Sequence, residues 1–234
     1  MTEDDLRAEL AEACRILAAE GHEHFDLGHA SARSRSGEGF WVKPAGLRLA
    51  EISAKQLVLL DLEGRRLAGE APIHGEVPIH AEIYRRRDDV RAVVHTHPLN
   101  TAALAASDAR FEMVSQDSVL FLGGVGRFDS PELVRTPALG AAVAEALGTA
   151  SAVILRNHGL VIAADSLQAA VVLAVSFERS LAIQLAATRL GTLVAMSARE
   201  AADLARSIEE TGPDRIGRLY RALRSASNGS MEPA

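Results

Sequence analysis

His95 and His97 stand two residues apart in Ala92-Val93-Val94-His95-Thr96-His97, a β-branched run that Pro98 ends by removing a backbone donor. Side chains alternate faces along a strand, so both imidazoles leave the same side and can grip one ion; a helix would point them apart. His158 closes a second strand-like run in Arg156-Asn157-His158-Gly159, where the glycine lets the backbone turn sharply beside a ligand. Three neutral imidazoles with an open fourth position suit a catalytic divalent ion rather than a closed structural one. Such an ion is a Lewis acid for an oxygen that gains charge as a carbon–carbon bond breaks, and a nearby carboxylate with a raised pKa can move the proton at carbon. Glu76 is the candidate carboxylate, although a glutamate at a helix N-terminus also suits the helix dipole. A lone His-x-His is short and common, and taken singly it reads as ordinary strand-end histidines.

The elements that must position these groups are legible from periodicity. Leu6, Leu10, Ala13, Leu17 and Ala18 recur at helical spacing and predict an opening amphipathic helix over 6–19. Phe25 to Trp41, punctuated by Gly28, Gly37 and Gly39, reads as strand, tight turn, strand. Leu57 to Leu60 reads as a strand running into a turn at Gly64. Because proline is tolerated only in a helix's first turn, Pro78 predicts a helix over 78–86 with Glu76 at its entrance. A helix over 99–106 follows the His-x-His strand, then a loop-rich stretch around Gly123, Gly124 and Gly126, then a helix over 139–147. Strands over 152–155 and 159–163 flank the Asn157-His158 turn, and Asp165 or Ser166 caps a long helix reaching about Leu190. Helices over 198–210 and 214–224 precede a polar tail, 225–234, expected to be disordered. Residues 1–224 should therefore form one domain, a three-layer α/β/α sandwich around a mixed, largely antiparallel sheet.

Composition narrows the partners. A net charge of −6 over 234 residues argues against nucleic acid or an anionic membrane, both of which need concentrated basic surface. Only Lys43 and Lys55 are lysines, and neither sits in an apolar run that would desolvate its amine, which weakens any Schiff-base route. Cys14 is the single cysteine, so no internal disulfide is expected, and its apolar spacing suggests an inert core thiol. The start Met1-Thr2-Glu3-Asp4-Asp5 is unlike a secretory signal, and no apolar stretch reads as a membrane span. A cytoplasmic protein acting on a small molecule is the expectation. His22 and His24 fall in a polar turn and are expected to be solvated.

The string from Glu76 through His80, Tyr84-Arg85 and His95-Thr96-His97 strongly resembles the core signature of class II aldolase/adducin proteins: a glutamate, a histidine four residues on, a Tyr-Arg helix end, then a strand closing in His-x-His. Leu27-Gly28-His29-Ala30-Ser31-Ala32-Arg33 resembles the family's Gly-Asn-x-Ser-x-Arg segment, Val42-Lys43-Pro44-Ala45-Gly46 its Thr-Pro-Ser-Gly turn, and Asn157-His158-Gly159 its third metal histidine. The likeness spans roughly residues 6 to 190, in order. It implies an α/β/α domain, a homotetramer with active sites at subunit interfaces, and one zinc, manganese or similar ion on His95, His97 and His158. Glu76 would be the proton carrier and would also touch the ion when no substrate is bound.

The sequence departs from the sugar-phosphate members of that family. They bind phosphate through two adjacent serines and an asparagine, where His74, Gly75 and His29 stand here, and Lys43 replaces a usual threonine. A pocket without those hydroxyls but with a lysine suits a carboxylate through charge-assisted hydrogen bonds. The arrangement is closer to members that decarboxylate hydroxylated aromatic or heteroaromatic acids. His29, Ser31, Arg33, Lys43, His74 and Gly75 are the expected substrate-binding residues, with Arg33 and Lys43 on one rim; His80 is expected to pack behind the site. Tyr220 falls where a tyrosine of some relatives approaches a neighbouring subunit's site, and no role is assigned to it. The alternatives are an aldolase or epimerase of a sugar phosphate and, less favoured, a non-catalytic adducin-like domain.

Overall fold

The computed structural model describes residues 2–212 and 214–229. Eight strands make one sheet: β1 (His29–Arg33), β2 (Phe40–Val42), β3 (Val58–Leu60), β4 (Arg66–Ala68), β5 (Ala92–Thr96), β6 (Val125–Phe128), β7 (Ala152–Leu155) and β8 (Gly159–Ala164). They lie in the order β4-β3-β2-β1-β5-β8-β7-β6, and every neighbouring pair is antiparallel except β6–β7. Seven helices cover it: α1 (Glu3–Leu17), α2 (Val77–Arg86), α3 (Leu99–Ala105), α4 (Pro137–Leu147), α5 (Leu167–Leu190), α6 (Ala198–Thr211) and α7 (Arg215–Gly229). The expected mixed, largely antiparallel α/β/α architecture is the one observed.

Strand alternation divides the core into two layers. Ala92 and Val94 of β5 join α1, α5 and α7 in one apolar cluster, whereas Val93 joins α2 and α4 in the other. His95 follows Val93 by two and therefore emerges on the α2 side, as do His29 and Ser31 of β1, which alternate with Ala30 and Ala32 of the opposite layer. The register places His29 directly across from His95. Period-2 geometry thus brings the histidines of two strands to one face before any side-chain contact is considered.

Four expectations need correction. The glycine-rich stretch read as loop contains β6, an edge strand whose Gly126 leaves room for the Ala146 carbonyl at the end of α4; edge strands carry weaker patterning than central ones. Residues 66–68, to which the sequence assigns no element, form the opposite edge strand β4, all three exposed. The tail expected to be disordered from Ser225 is helical to Gly229, continuing the pattern that packs Ile216, Leu219 and Leu223 on the core; residues 230–234 lie outside the described residues. Finally, α5 is long and apolar enough by length and composition to cross a membrane. Here it is a core helix, with Leu173, Phe177 and Leu181 buried in the first cluster and Glu178 accepting hydrogen bonds from Asn100 and Thr101.

Candidate active site

Three features of the chain bring His95, His97 and His158 together. β5 ends at Thr96, so His97 leaves the sheet beside His95. Asn157 takes a left-handed φ of 55°, which asparagine tolerates, and turns the β7–β8 hairpin so that His158 faces back across the sheet. Gly159 has no room for a Cβ, because one built there would lie 2.6 Å from His97 Cδ2 and 2.5 Å from the Thr96 carbonyl. The rings are 4.6 Å (His95–His97), 4.8 Å (His95–His158) and 5.0 Å (His97–His158) apart.

Glu76 sits at the N-terminus of α2, yet its side chain does not cap the helix. Oε1 instead accepts the Val134 amide at 2.9 Å, and Oε2 lies 3.5 Å from His158 Nε2 and 3.8 Å from His95 Nε2. The helix-dipole role that competed for this residue gives way to a place among the imidazoles. Burial would raise the carboxyl's pKa, but hydrogen bonding and charge from His158, then the Val134 amide, hold it below the ordinary value. The resting group is therefore a carboxylate, where the sequence had suggested a raised pKa.

The donor set fits a divalent ion. His95 lies 3.0 Å from the Leu160 carbonyl through Nδ1; a proton there leaves Nε2 with a free lone pair. Burial, then His97 and His158, keep His95 neutral, and burial pushes His97 down to about 4. Their Nε2 atoms are 3.0 Å apart, close to the ~3.3 Å between neighbouring ligands of a tetrahedral ion with bonds of about 2.0–2.1 Å. A cavity of about 500 Å³ opens over the group, with His97, His158 and Glu76 at its base and Leu27, Leu99 and Leu133 among its walls.

The expected substrate-binding residues divide. His29 and His74 are adjacent, ring centroids 4.1 Å apart, and each lies within 4.8 Å of Glu76 through a potential ligand atom. Gly75 is at the same place, with the Arg135 side chain 3.6 Å from where a Cβ would sit. Arg33 is elsewhere: its guanidinium donates to the carbonyls of Tyr84, Arg87 and Val90, closing the far end of α2. Lys43 is not on a rim with it but fully buried, donating to the Asp26 carbonyl at 2.9 Å; burial lowers its pKa. Ser31 is buried beneath His29, its hydroxyl 2.6 Å from His80 Nδ1 and 2.8 Å from the Tyr84 hydroxyl. One further reading changes. His22 is buried, not solvated, because Gly21 at φ 81° swings it under the sheet to within 2.9 Å of Thr96 Oγ1. Tyr220 is 3% exposed and donates to Glu12 of the same chain. His24 is exposed, as expected, at the border of the cavity.

Sequence reasoning missed Val134, which lies in a stretch without motif, and Tyr84, for which a signal existed: Glu76, His80 and Tyr84 recur every four residues and so share one face of α2.

The likeness to known proteins agrees with this geometry. The model of the class II aldolase and adducin N-terminal domain matches residues 8–185. A 3,4-dihydroxyphthalate decarboxylase from Arthrobacter keyseri is 35% identical over 211 residues, 82% of each chain. Among solved structures, an aldolase II superfamily protein from Pseudomonas syringae superposes with a TM-score of 0.87 at 28% identity, covering 98% of this chain and 94% of that one. An L-fuculose 1-phosphate aldolase from Glaciozyma antarctica gives 0.84 at 25%, covering 99% and 93%. With the family model spanning most of its length and the imidazole cluster at the end of the His-x-His strand, this chain belongs to the class II aldolase and adducin family.

Proposed function

We propose that this chain is a divalent-metal-dependent lyase that decarboxylates a hydroxylated aromatic or heteroaromatic carboxylic acid, a step in the breakdown of aromatic compounds. The observation that carries the reading is the meeting of three imidazoles and a carboxylate, with His97, His158 and Glu76 at the base of an apolar-walled cavity. His95, His97 and His158 would hold one ion, zinc or manganese, which when bound supplies Lewis acidity to a substrate oxygen. Leu27, Leu99 and Leu133 offer a ring the apolar contact that a polyhydroxylated sugar does not need. His29 and His74, where sugar-phosphate members of the family carry an asparagine and a serine, would hold the acid.

Glu76 is ionised at rest and first accepts the proton of the ring hydroxyl. As carbon dioxide leaves with the carboxyl carbon, Glu76 returns that proton to the ring carbon, and the phenolate product takes one proton from water. The 35% identity to a dihydroxyphthalate decarboxylase supports this over aldol cleavage. The chain is read as a cytoplasmic homotetramer. Exposed Phe25 and Leu99, 73% and 81% accessible and close to the cavity, support association at this edge.

The test is product analysis. Metal-loaded protein given 3,4-dihydroxyphthalate should release carbon dioxide, and given L-fuculose 1-phosphate should release little aldehyde. Faster aldehyde release from the sugar phosphate would replace this reading with the aldolase one.

A further inference from the structure

Behind the metal-facing histidines runs a chain of four buried side chains. His29 Nδ1 is 2.5 Å from His80 Nε2, His80 Nδ1 is 2.6 Å from Ser31 Oγ, and Ser31 Oγ is 2.8 Å from the Tyr84 hydroxyl. The ring's other nitrogen, His29 Nε2, is buried and has no hydrogen-bond partner among the described residues. Distances alone do not say whether that nitrogen bears a proton or a lone pair, and the choice decides whether it faces an anion or a cation.

The chain itself makes the choice. The other group facing the Tyr84 oxygen is the Val93 amide, which is only a donor. Ser31 Oγ is therefore the acceptor for the phenol's proton. Having accepted it, Ser31 can direct its own hydroxyl proton only at His80 Nδ1. Burial holds the His80 pKa at about 3, so the ring is neutral and carries its single proton on Nε2. That proton goes to His29 Nδ1, and the one proton of a neutral His29 must then sit on Nε2. The reverse direction would leave the Tyr84 proton without an acceptor.

We infer that Tyr84, Ser31 and His80 lock His29 as an Nε2–H donor, so that His29 binds an acceptor oxygen of the ligand and cannot ligate a cation. His29, His74 and Glu76 lie close enough together to suggest a second ion site; the fixed proton excludes His29 from it, since a metal needs the lone pair. The buried Lys43 ammonium, close enough to bias both His29 and His74 electrostatically, favours the same sign of ligand. That the acceptor is a carboxylate rests on the decarboxylase reading; the direction of the chain does not. His80, Ser31 and Tyr84 are positioning residues, and His29 is the group that touches the ligand.

Long-range proton–nitrogen NMR on zinc-loaded, histidine-labelled protein reads each ring's tautomer directly. Both His29 and His80 should show Nε2–H, phthalate should shift the His29 Nε2–H signal, and zinc should titrate to one equivalent. Ser31→Ala should weaken phthalate binding about tenfold, the value of a hydrogen bond to a charged group, with Ser31→Thr restoring it and zinc still at one equivalent. A His29 Nδ1–H signal, or a second zinc equivalent lost in His29→Ala, overturns the inference. These arms use the unsubstituted protein for the decisive readout, so a misfolded Ser31→Ala variant does not spoil them. Absence of any phthalate response overturns the acceptor assignment. Correct tautomers and phthalate binding without carbon dioxide release would instead sink only the decarboxylase reading.

Discussion

His95 and His29 face each other across two paired strands, their rings 5.0 Å apart, and do opposite things. His95 sits beside a carbonyl through its far nitrogen, so its near nitrogen offers a lone pair to the cavity. His29 is met through its far nitrogen by an imidazole backed by two hydroxyls, so its near nitrogen offers a proton. The same side chain becomes ligand or donor according to what stands behind it. Spacing along the chain does not carry that distinction.

The comparison breaks most visibly among His95, His97 and His158. His97→Ala should lose its metal, as read by elemental analysis, and lose turnover by at least about 10⁴-fold, because a Lewis acid supplies several kcal/mol and 1.36 kcal/mol is tenfold in rate. Retention of both by His97→Ala would show that His97 is not a ligand. Glu76→Gln removes the proton carrier while leaving the imidazoles, so kcat should fall about 10³-fold with metal content unchanged. A parallel loss of metal would make Glu76 chiefly a ligand.

The buried, non-ligand histidines should appear instead in stability. His22, whose folded pKa is depressed to about 4 by burial, stays neutral in the fold while the unfolded chain binds a proton below about 6.5. Its contribution is complete above pH 6.5 and is lost as pH falls toward 4, at about 1.4 kcal/mol per pH unit. Urea midpoints of metal-free protein between pH 7 and 4.5 should show that slope, and His22→Asn should flatten it by one proton's worth; an unchanged slope would mean that His22 is solvated after all. The smallest effect belongs to the far end of α2. Arg33→Lys should cost about 1–2 kcal/mol in denaturant unfolding and leave KM for the acid unchanged, since its partners are three backbone carbonyls. A raised KM would return Arg33 to the substrate.

Much of this was readable in advance where it followed local periodicity. Period-2 alternation put His95 and His97 on one face, Pro78 placed Glu76 at a helix entrance, and capping at Ser166 marked the start of α5. Arg33 failed because its motif position says nothing about which carbonyls lie within reach of a long side chain once the sheet has closed. His22 failed because a polar turn looks solvated until Gly21 carries it beneath β5.

From the chain alone came the family, the layer architecture and the candidate metal trio, because strand alternation, proline placement and ordered motifs are written into neighbouring residues. Tertiary structure alone decided that Glu76 rests as a carboxylate against the Val134 amide, that Lys43 is buried away from any rim, and which nitrogen of His29 bears the proton. Each of those depends on partners 17 to 58 positions away, and hydrogen bonds and burial over such separations exist only once the chain has packed.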